Sequence, residues 1–264
     1  MKRGLSTAVD KMIDSLKLIL NGDILSMYIY GSCVLGDFKC GWSDIDILVL
    51  TKNKLSLEKA NELLTLRQKL LEKEPENKYF RKFEGAILSL ESFLNNEKDN
   101  VVYWGTRGEK IKDSYCLDSF SMKELIENGK LLYGQDVRSK LTKPTFEQLC
   151  KDIIYHYQTI REQGQKPGRN LYSFGWFLDI SRCIYTLKTG DIISKTKAGE
   201  WALKNKLCPD KKALKVVLKV RKNPLKYKGM VKIMDYAETL GPSIQCYADI
   251  LEEYLQNYTK KELV

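Results

Sequence analysis

The sequence contains few of the residues that mark disulfide-linked, fibrous or disordered proteins. Only six of its 264 residues are prolines, and it shows no low-complexity tract and no internal repeat of roughly 20 to 50 residues. Its seven cysteines are odd in number, scattered along the chain and never spaced as Cys-x-x-Cys. We therefore interpret the cysteines as reduced thiols and the composition as that of an ordered globular protein.

Long apolar runs are also missing. No uninterrupted run approaches the roughly 20 residues that a helix needs to span a bilayer. The basic N-terminus does lead into an apolar segment, but charged residues interrupt it at helical spacing, at Asp10, Lys11, Asp14 and Lys17. A signal-peptide core would not tolerate these charges, so residues 6–21 are predicted to form an amphipathic helix. We expect a cytoplasmic protein that does not bind a membrane.

Negative charge is in the minority, and the formal net charge is +10 at pH 7. Such an excess of positive charge favours binding to a polyanion, which could be a nucleic acid, a membrane surface or the phosphates of a nucleotide. Net charge alone does not distinguish among these partners. Many lysines lie in the last third of the chain at helical spacing, which favours a solvated helix face. The single histidine, His156, is interpreted as a packed or surface residue rather than a base or metal ligand.

The pattern of apolar residues changes near residue 142. Before it, three apolar runs are typical of buried strands and one amphipathic run is typical of a helix, at 25–30, 44–51, 83–90 and 56–73 respectively. The segment 101–105 is compatible with an edge strand or with a loop that lines a pocket. After the change, five helices are predicted, over 145–163, 170–188, 195–206, 210–221 and 229–258. We therefore predict an α+β fold, with a small mixed-sheet domain over 1–142 and an all-α helical bundle over 143–264.

Two aspartates, Asp44 and Asp46, begin the second predicted strand. Because side chains alternate along a strand, both leave the same face, with Cα atoms about 7 Å apart. Two carboxylates aimed together repel each other unless solvent or a cation lies between them. Oxygen ligands at this separation suit Mg²⁺, which takes the rest of its shell from water and substrate phosphates. Two solvated acids at an exposed strand end are the alternative.

Two further features accompany the aspartates. Gly31 and Ser32 end the first predicted strand, where backbone N–H groups and a hydroxyl can approach phosphate oxygens. Glu84 begins the third predicted strand and would lie near the aspartates if that strand pairs beside 44–50. There it could complete a metal shell or accept a proton. An ordinary glutamate at a strand edge is the alternative.

The motif Gly-Ser-x3-Gly-x6-Ser-Asp-Ile-Asp, with a glutamate on the third strand, resembles the nucleotidyltransferase superfamily that includes DNA polymerase beta. Nearly the whole chain is similar to the aminoglycoside adenylyltransferases that modify spectinomycin and streptomycin, which pair such a domain with a C-terminal helical domain. The segment 181–202, which contains Ser-Arg-x2-Tyr-x3-Thr-Gly and later Glu-Trp-Ala, is similar to the helix-turn-helix signature of that family. The resemblance therefore implies a nucleotidyltransferase domain over 1–142.

The resemblance also implies roles for the residues of this domain. Gly31 and Ser32 are expected at the ATP phosphates, with Ser32 making the contact. Asp44 and Asp46 are expected to bind magnesium. Glu84 is expected to be the catalytic base and to lie in the metal shell.

In the helical domain, the resemblance implies that Arg182 and Lys195 reach the nucleotide, because a triphosphate needs cations from the domain that lacks the carboxylates. Tyr227 is the candidate for a tyrosine that packs near the nucleotide. Members that accept streptomycin carry a tryptophan and an aspartate at positions that correspond here to Arg107 and Tyr172. These departures favour spectinomycin over streptomycin as the acceptor.

The expected activity is the transfer of AMP from ATP to a hydroxyl of an aminocyclitol antibiotic, with release of pyrophosphate and resistance as the outcome. Mg²⁺ is the expected cofactor, ATP the co-substrate, and the enzyme is expected to be a monomer that does not bind nucleic acid. One alternative keeps the chemistry but places the acceptor hydroxyl on another small molecule, a protein or a nucleic acid. Another is a nucleotide-binding module whose transferase site is vestigial.

Overall fold

The computed structural model describes residues 3–105 and 108–262. The chain divides into two compact units: unit 1 is Met1–Phe38 with Asp44–Lys143, and unit 2 is Lys39–Ser43 with Pro144–Val264. A mixed sheet with helices in unit 1 and a helical unit 2 confirm the predicted α+β fold class. The predicted first domain, 1–142, included the segment 39–43, which the structure instead groups with unit 2.

Unit 1 is built on a six-stranded sheet with the strand order β5-β4-β3-β2-β1-β6. β2 and β3 are parallel, whereas the other neighbouring pairs are antiparallel. The segment 101–105 is β4, an internal strand rather than an edge or a loop. The strands are β1 (Ile24–Ile29), β2 (Ile45–Thr51), β3 (Phe83–Ser89), β4 (Val101–Gly105), β5 (Gly108–Lys112) and β6 (Lys130–Gly134).

Helices cover both faces of this sheet because its central strands carry apolar residues on both faces. Ile45, Ile47 and Val49 of β2 lie in a core with the first three helices, while Leu48 and Leu50 lie in a second core with α5. The helix predicted over 56–73 is two helices that meet at Thr65. The helices are α1 (Arg3–Leu20), α2 (Leu57–Leu64), α3 (Leu66–Lys73), α4 (Leu90–Asn95) and α5 (Ser119–Asn128).

A buried arginine of α3, Arg67, joins the ends of three strands. Its guanidinium donates to the carbonyl oxygens of Phe83 at 2.5 Å and Gly105 at 3.3 Å. It also pairs with the Glu109 carboxylate of β5 at 2.6 Å. A buried cation is tolerated when hydrogen bonds and an opposite charge satisfy it, as they do here. Arg67 therefore fixes the start of β3, the strand that carries Glu84, against the end of β4.

Unit 2 consists of helices. α6 begins with a capping box between Thr145 and Gln148. Arg161 of α6 bonds to Asp249 and Glu252 of the last helix. The helix predicted over 229–258 is two helices, broken between Glu238 and Gly241. The helices are α6 (Phe146–Gln163), α7 (Gly175–Thr189), α8 (Lys195–Lys204), α9 (Lys211–Lys222), α10 (Pro224–Tyr227), α11 (Val231–Glu238) and α12 (Gly241–Glu262).

Within residues 3–105 and 108–262, no helix has both the length and the apolar composition that a bilayer crossing requires.

Candidate active site

Two carboxylate residues are neighbours in the sheet of unit 1. The parallel register of β2 and β3 makes Asp46 the direct partner of Glu84. Neighbouring strands lie about 4.8 Å apart, so the two residues stand side by side. Asp44 lies just before β2, which begins at Ile45. The structure thus brings Glu84 beside the Asp-x-Asp pair, at the end of the sheet where both strands start.

The carboxylate of Asp46 lies against the backbone of Gly31. A Cβ atom built on Gly31 would lie only 2.1 Å from Asp46 Oδ2. Gly31 also has a φ of +65°, a left-handed conformation that glycine adopts without cost. Sequence reasoning assigned Gly31 to the approach of phosphate. The structure shows a further requirement, because any side chain at position 31 would displace the Asp46 carboxylate.

Ser32 follows in a short 3₁₀ turn, Gly31–Cys33. Its Oγ is buried, and among the residues that the structure describes it has no hydrogen-bond partner. Buried hydroxyls are nearly always hydrogen-bonded, so the Ser32 hydroxyl is available to a ligand that binds here. Burial and the charge of Asp46 raise the pKa of the neighbouring Cys33 thiol to about 12. A phosphate oxygen would satisfy the Ser32 hydroxyl.

A lysine that the sequence pattern did not predict lies beside the aspartates. Lys82 Nζ lies 3.4 Å from Asp44 Oδ1, and both side chains are about three-quarters buried. The ion pair offsets part of the repulsion between the carboxylates. Extending the parallel register of β2 and β3 by one residue sets position 82 opposite position 44, so the contact follows from strand pairing and not from a local pattern.

A tyrosine of β4 contacts Glu84. Tyr103 Oη donates to Glu84 Oε1 at 3.2 Å, and burial and the charge of Glu84 raise the pKa of the phenol. The Tyr103 ring lies 5.7 Å from the ring of Tyr115 and 4.5 Å from Lys112 Nζ. A Cβ on Gly105 would meet that ring at 2.6 Å. Tyr103 is thus held firmly against Glu84, an arrangement invisible to sequence reasoning because it depends on the pairing of β3 with β4.

Whether a metal ion fits the site depends on the carboxylates of Asp44, Asp46 and Glu84. Over the described ranges, no group of three or more histidine, cysteine, aspartate or glutamate side chains is gathered as a metal site. A ready three-carboxylate shell that includes Glu84 is therefore not present. The donors nevertheless suit Mg²⁺, which usually takes one or two carboxylates and completes its shell with water and phosphate oxygens. Asp44 and Asp46 fit that pattern.

In unit 2, Arg182 lies on α7 and Lys195 is the first residue of α8. Lys195 Nζ pairs with Asp179 Oδ1 at 2.7 Å, and Asp179 lies one helical turn before Arg182. Burial opposes ionisation of Asp179, but the charges of Lys195 and Arg182 outweigh it and hold the pKa of this carboxyl below its usual value. Asp179 therefore brings the two predicted nucleotide-binding cations into one cluster.

Three further residues were predicted to bear on the nucleotide or on the choice of acceptor. Tyr227 is the last residue of α10 and is buried, with Lys226 Nζ 5.8 Å from its ring centre. Tyr172 is 58% exposed. Arg107 lies outside the residues that the structure describes.

Two family models match the chain. The Nucleotidyltransferase domain model matches residues 9–99, which contain the Asp-x-Asp pair and Glu84. The model for the Aminoglycoside adenylyltransferase, C-terminal domain matches residues 146–223. Together the two matches support membership of the aminoglycoside adenylyltransferase family. This confirms the family and the enzyme class, nucleotidyltransferase, that the motifs indicated.

Individual similar proteins are also adenylyltransferases. This chain is 27% identical over 212 residues to the spectinomycin 9-adenylyltransferase of Campylobacter jejuni, and the alignment covers 74% of this chain and 77% of the relative. Among solved structures, it resembles a spectinomycin adenyltransferase from Enterococcus faecialis determined with ATP and spectinomycin. The TM-score is 0.64 at 16% identity, covering 92% of this chain and 98% of that one. At that identity the likeness concerns the fold.

Proposed function

We propose that this enzyme transfers AMP from ATP to a hydroxyl of spectinomycin or a closely similar aminocyclitol, releases pyrophosphate and thereby confers resistance. The observation that carries the proposal is the pairing of Asp46 with Glu84 in register, beside a buried Ser32 hydroxyl that lacks a partner among the described residues. The relatives support the choice of substrates, since one is named for spectinomycin and another was solved with ATP and spectinomycin.

Asp44 and Asp46 would hold Mg²⁺, which supplies electrostatic stabilisation of the charge that develops on the α-phosphate and on departing pyrophosphate. The protein prepares the carboxylates for this role. Lys82 pairs with Asp44 and orients its carboxylate, and Gly31 leaves the space that the Asp46 carboxylate fills.

Glu84 acts as the general base. The acceptor oxygen forms a bond to the α-phosphorus as the bond from that phosphorus to the bridging oxygen breaks, and pyrophosphate leaves with the electron pair. The hydroxyl proton goes to the Glu84 carboxylate. The hydrogen bond from Tyr103 restricts rotation of that carboxylate, which fixes the direction from which it accepts the proton.

We assign binding of the nucleotide phosphates to Ser32, Arg182 and Lys195, and packing near the nucleotide to Tyr227. Ser32 supports this assignment with its orphaned hydroxyl. Lys195 and Arg182 support it with their shared position near Asp179, which organises two cations that are matched to phosphate oxygens.

The acceptor is a cation that must find acidic groups in a basic protein, and the carboxylates of the site provide them. Tyr172 stands where the family resemblance places an aspartate in members that accept streptomycin. An uncharged, exposed tyrosine offers no ion pair to the guanidinium groups of streptomycin. We therefore propose spectinomycin rather than streptomycin as the acceptor.

The direct test incubates the purified chain with ATP, Mg²⁺ and one antibiotic at a time, chosen from spectinomycin, streptomycin and a lincosamide. Mass spectrometry then detects the gain of one AMP. We expect adenylylated spectinomycin, no product from streptomycin, and loss of product when EDTA removes the metal. A parallel incubation with labelled ATP and cell extract tests the alternative acceptors. Label on a protein or nucleic acid with no labelled antibiotic would overturn the proposal.

Tyr103→Phe tests the orientation of the base. This change removes one hydroxyl and keeps the packed ring, so we expect kcat to fall about 10-fold, because a looser base is misaligned more often. The KM for ATP should change less than about twofold. Steady-state pyrophosphate release measures both constants.

The matched control for Tyr103 is Tyr133→Phe, which removes a hydroxyl from β6, another strand of the same sheet. It should leave kcat unchanged. If both variants behave alike, the Tyr103 hydroxyl has no special part in orienting Glu84.

A further inference from the structure

The five residues Lys39–Ser43 join the two motifs of the active site, Gly-Ser and Asp-x-Asp, yet they belong to unit 2. The chain leaves unit 1 after Phe38 and re-enters it at Asp44. The residue at which it re-enters is one of the two proposed metal ligands. Because Ser43 is bonded to Asp44, the conformation of this segment restricts the backbone of Asp44.

The 39–43 segment is a closed turn. The backbone N–H groups of Trp42 and Ser43 both donate to the carbonyl oxygen of Lys39, at 3.0 Å and 2.8 Å. In return, the N–H of Lys39 donates to Ser43 Oγ at 3.0 Å. These three hydrogen bonds hold the backbone of the segment in one conformation. A side chain that fixes one residue of the segment therefore restricts the others as well.

Trp42 supplies that anchor. Its side chain is buried, with only 6% of the residue exposed. The guanidinium carbon of Arg221, on α9, lies 5.2 Å from the centre of the indole ring. Tyr172 contacts the ring edge-on at 6.4 Å between centroids. A buried cation–π contact of this kind contributes more than an exposed one, because neither group is fully solvated.

Close approach of the backbone gives a second, independent sign that the segment is fitted to unit 2. Gly41 has a φ of +90°, and a Cβ built on it would lie 2.6 Å from Leu225 Cδ2. The backbone at Gly41 therefore packs against the Leu225 side chain of α10. Only glycine combines this conformation with so short an approach.

We propose that Trp42, together with Arg221, is a positioning residue of the transferase: it holds the 39–43 turn in place, and that turn leads directly into Asp44 and so restricts the backbone conformation of Asp44. The inference rests on the proposed role of Asp44 as a metal ligand. One residue separates Trp42 from Asp44, so few backbone dihedral angles lie between anchor and carboxylate. A misplacement of about 1 Å at a reacting group can cost about 10²-fold in rate.

The test compares Trp42→Ala and Trp42→Phe with the wild type. The control, Phe146→Ala, removes an aromatic side chain that packs on Tyr258 of α12, elsewhere in unit 2. We expect Trp42→Ala to lower kcat by about 10- to 100-fold while the KM for spectinomycin changes less than threefold. Trp42→Phe, which keeps an aromatic face for Arg221, should recover most of the loss. Phe146→Ala should leave kcat near the wild-type value.

A second readout does not depend on turnover. Hydrogen exchange measured by mass spectrometry should show faster exchange of the amides at 42 and 43 in Trp42→Ala, with unchanged exchange in α6. In Phe146→Ala the amides at 42 and 43 should stay as slow as in the wild type. If Trp42→Ala does not fold, Arg221→Met serves in its place, because it keeps an aliphatic stem over the indole ring. It should accelerate the same exchange and lower kcat several-fold.

The outcomes separate the two proposals. A wild-type protein that adenylylates no antibiotic contradicts the proposed function, whatever the exchange data show. An active wild type whose Trp42→Ala variant keeps full kcat, or loses it no more than Phe146→Ala does, overturns the positioning role of Trp42. Faster exchange at 42 and 43 without any loss of kcat also overturns it, since the anchor would then be structural only.

Discussion

Glu84→Gln should abolish turnover while leaving ATP affinity within a few-fold of the wild type. Glutamine keeps the shape of the side chain, and its amide oxygen can still accept the hydrogen bond from Tyr103. It cannot take a proton from the acceptor hydroxyl. Loss of a general base typically costs about 10² to 10⁴-fold in kcat. Pyrophosphate release measures turnover, and calorimetry measures the binding of ATP.

The control for Glu84→Gln is Glu91→Gln, the same chemical change at an exposed position in the first turn of α4. It should be indistinguishable from the wild type in both measurements. Adenylylation retained by Glu84→Gln at more than about a tenth of the wild-type kcat would remove Glu84 from the role of base. A large loss of ATP affinity would instead assign Glu84 chiefly to the metal shell.

Gly31→Ala is the second change with a large expected effect. The new methyl group would occupy the space that holds Asp46 Oδ2, 2.1 Å from the Cβ position, so the carboxylate must move. We expect kcat to fall by about 10²-fold or more, since the displaced group is a proposed metal ligand. The concentration of Mg²⁺ that gives half-maximal rate should rise. A magnesium titration of the initial rate measures both effects.

Gly36→Ala separates the displacement of Asp46 from backbone strain. Gly36 has a φ of +69°, close to that of Gly31, but nothing lies within 4 Å of its Cβ position. Both variants therefore carry the left-handed penalty of about 1–2 kcal/mol per residue, and only Gly31→Ala moves the carboxylate. Thermal unfolding should show similar losses of stability. Equal kcat values for the two variants would contradict the proposed contact between Gly31 and Asp46.

Sequence patterns predicted the parts of the fold that bury the most apolar surface. β1, β2 and β3 lie in the middle of the sheet, and their apolar runs are easily recognised. β5 and β6 are edge strands with much weaker apolar patterns, and neither was predicted. The breaks at Thr65 and near residue 240 were also missed, because helical periodicity on either side of a break looks continuous in the sequence.

The carboxylates of the site could be predicted because their signal is local. Asp44 and Asp46 are two residues apart, and Glu84 starts a recognisable strand. Lys82 and Tyr103 were missed because their roles arise from strand pairing: Lys82 meets Asp44 through β2 and β3, and Tyr103 meets Glu84 through β3 and β4. No pattern along the chain encodes such register before the sheet order is known.

The parallel pairing of β2 with β3 has a consequence for how the protein reaches its working state. Residues 52–82 must form a helical crossover connection from the end of β2 to the start of β3 before Asp46 and Glu84 become neighbours. Closing that excursion carries an entropic cost that antiparallel hairpins avoid. The carboxylates of Asp46 and Glu84 therefore become neighbours, and repel each other, only after β2 and β3 have paired. The acidic centre is absent from any folding intermediate that lacks this pairing.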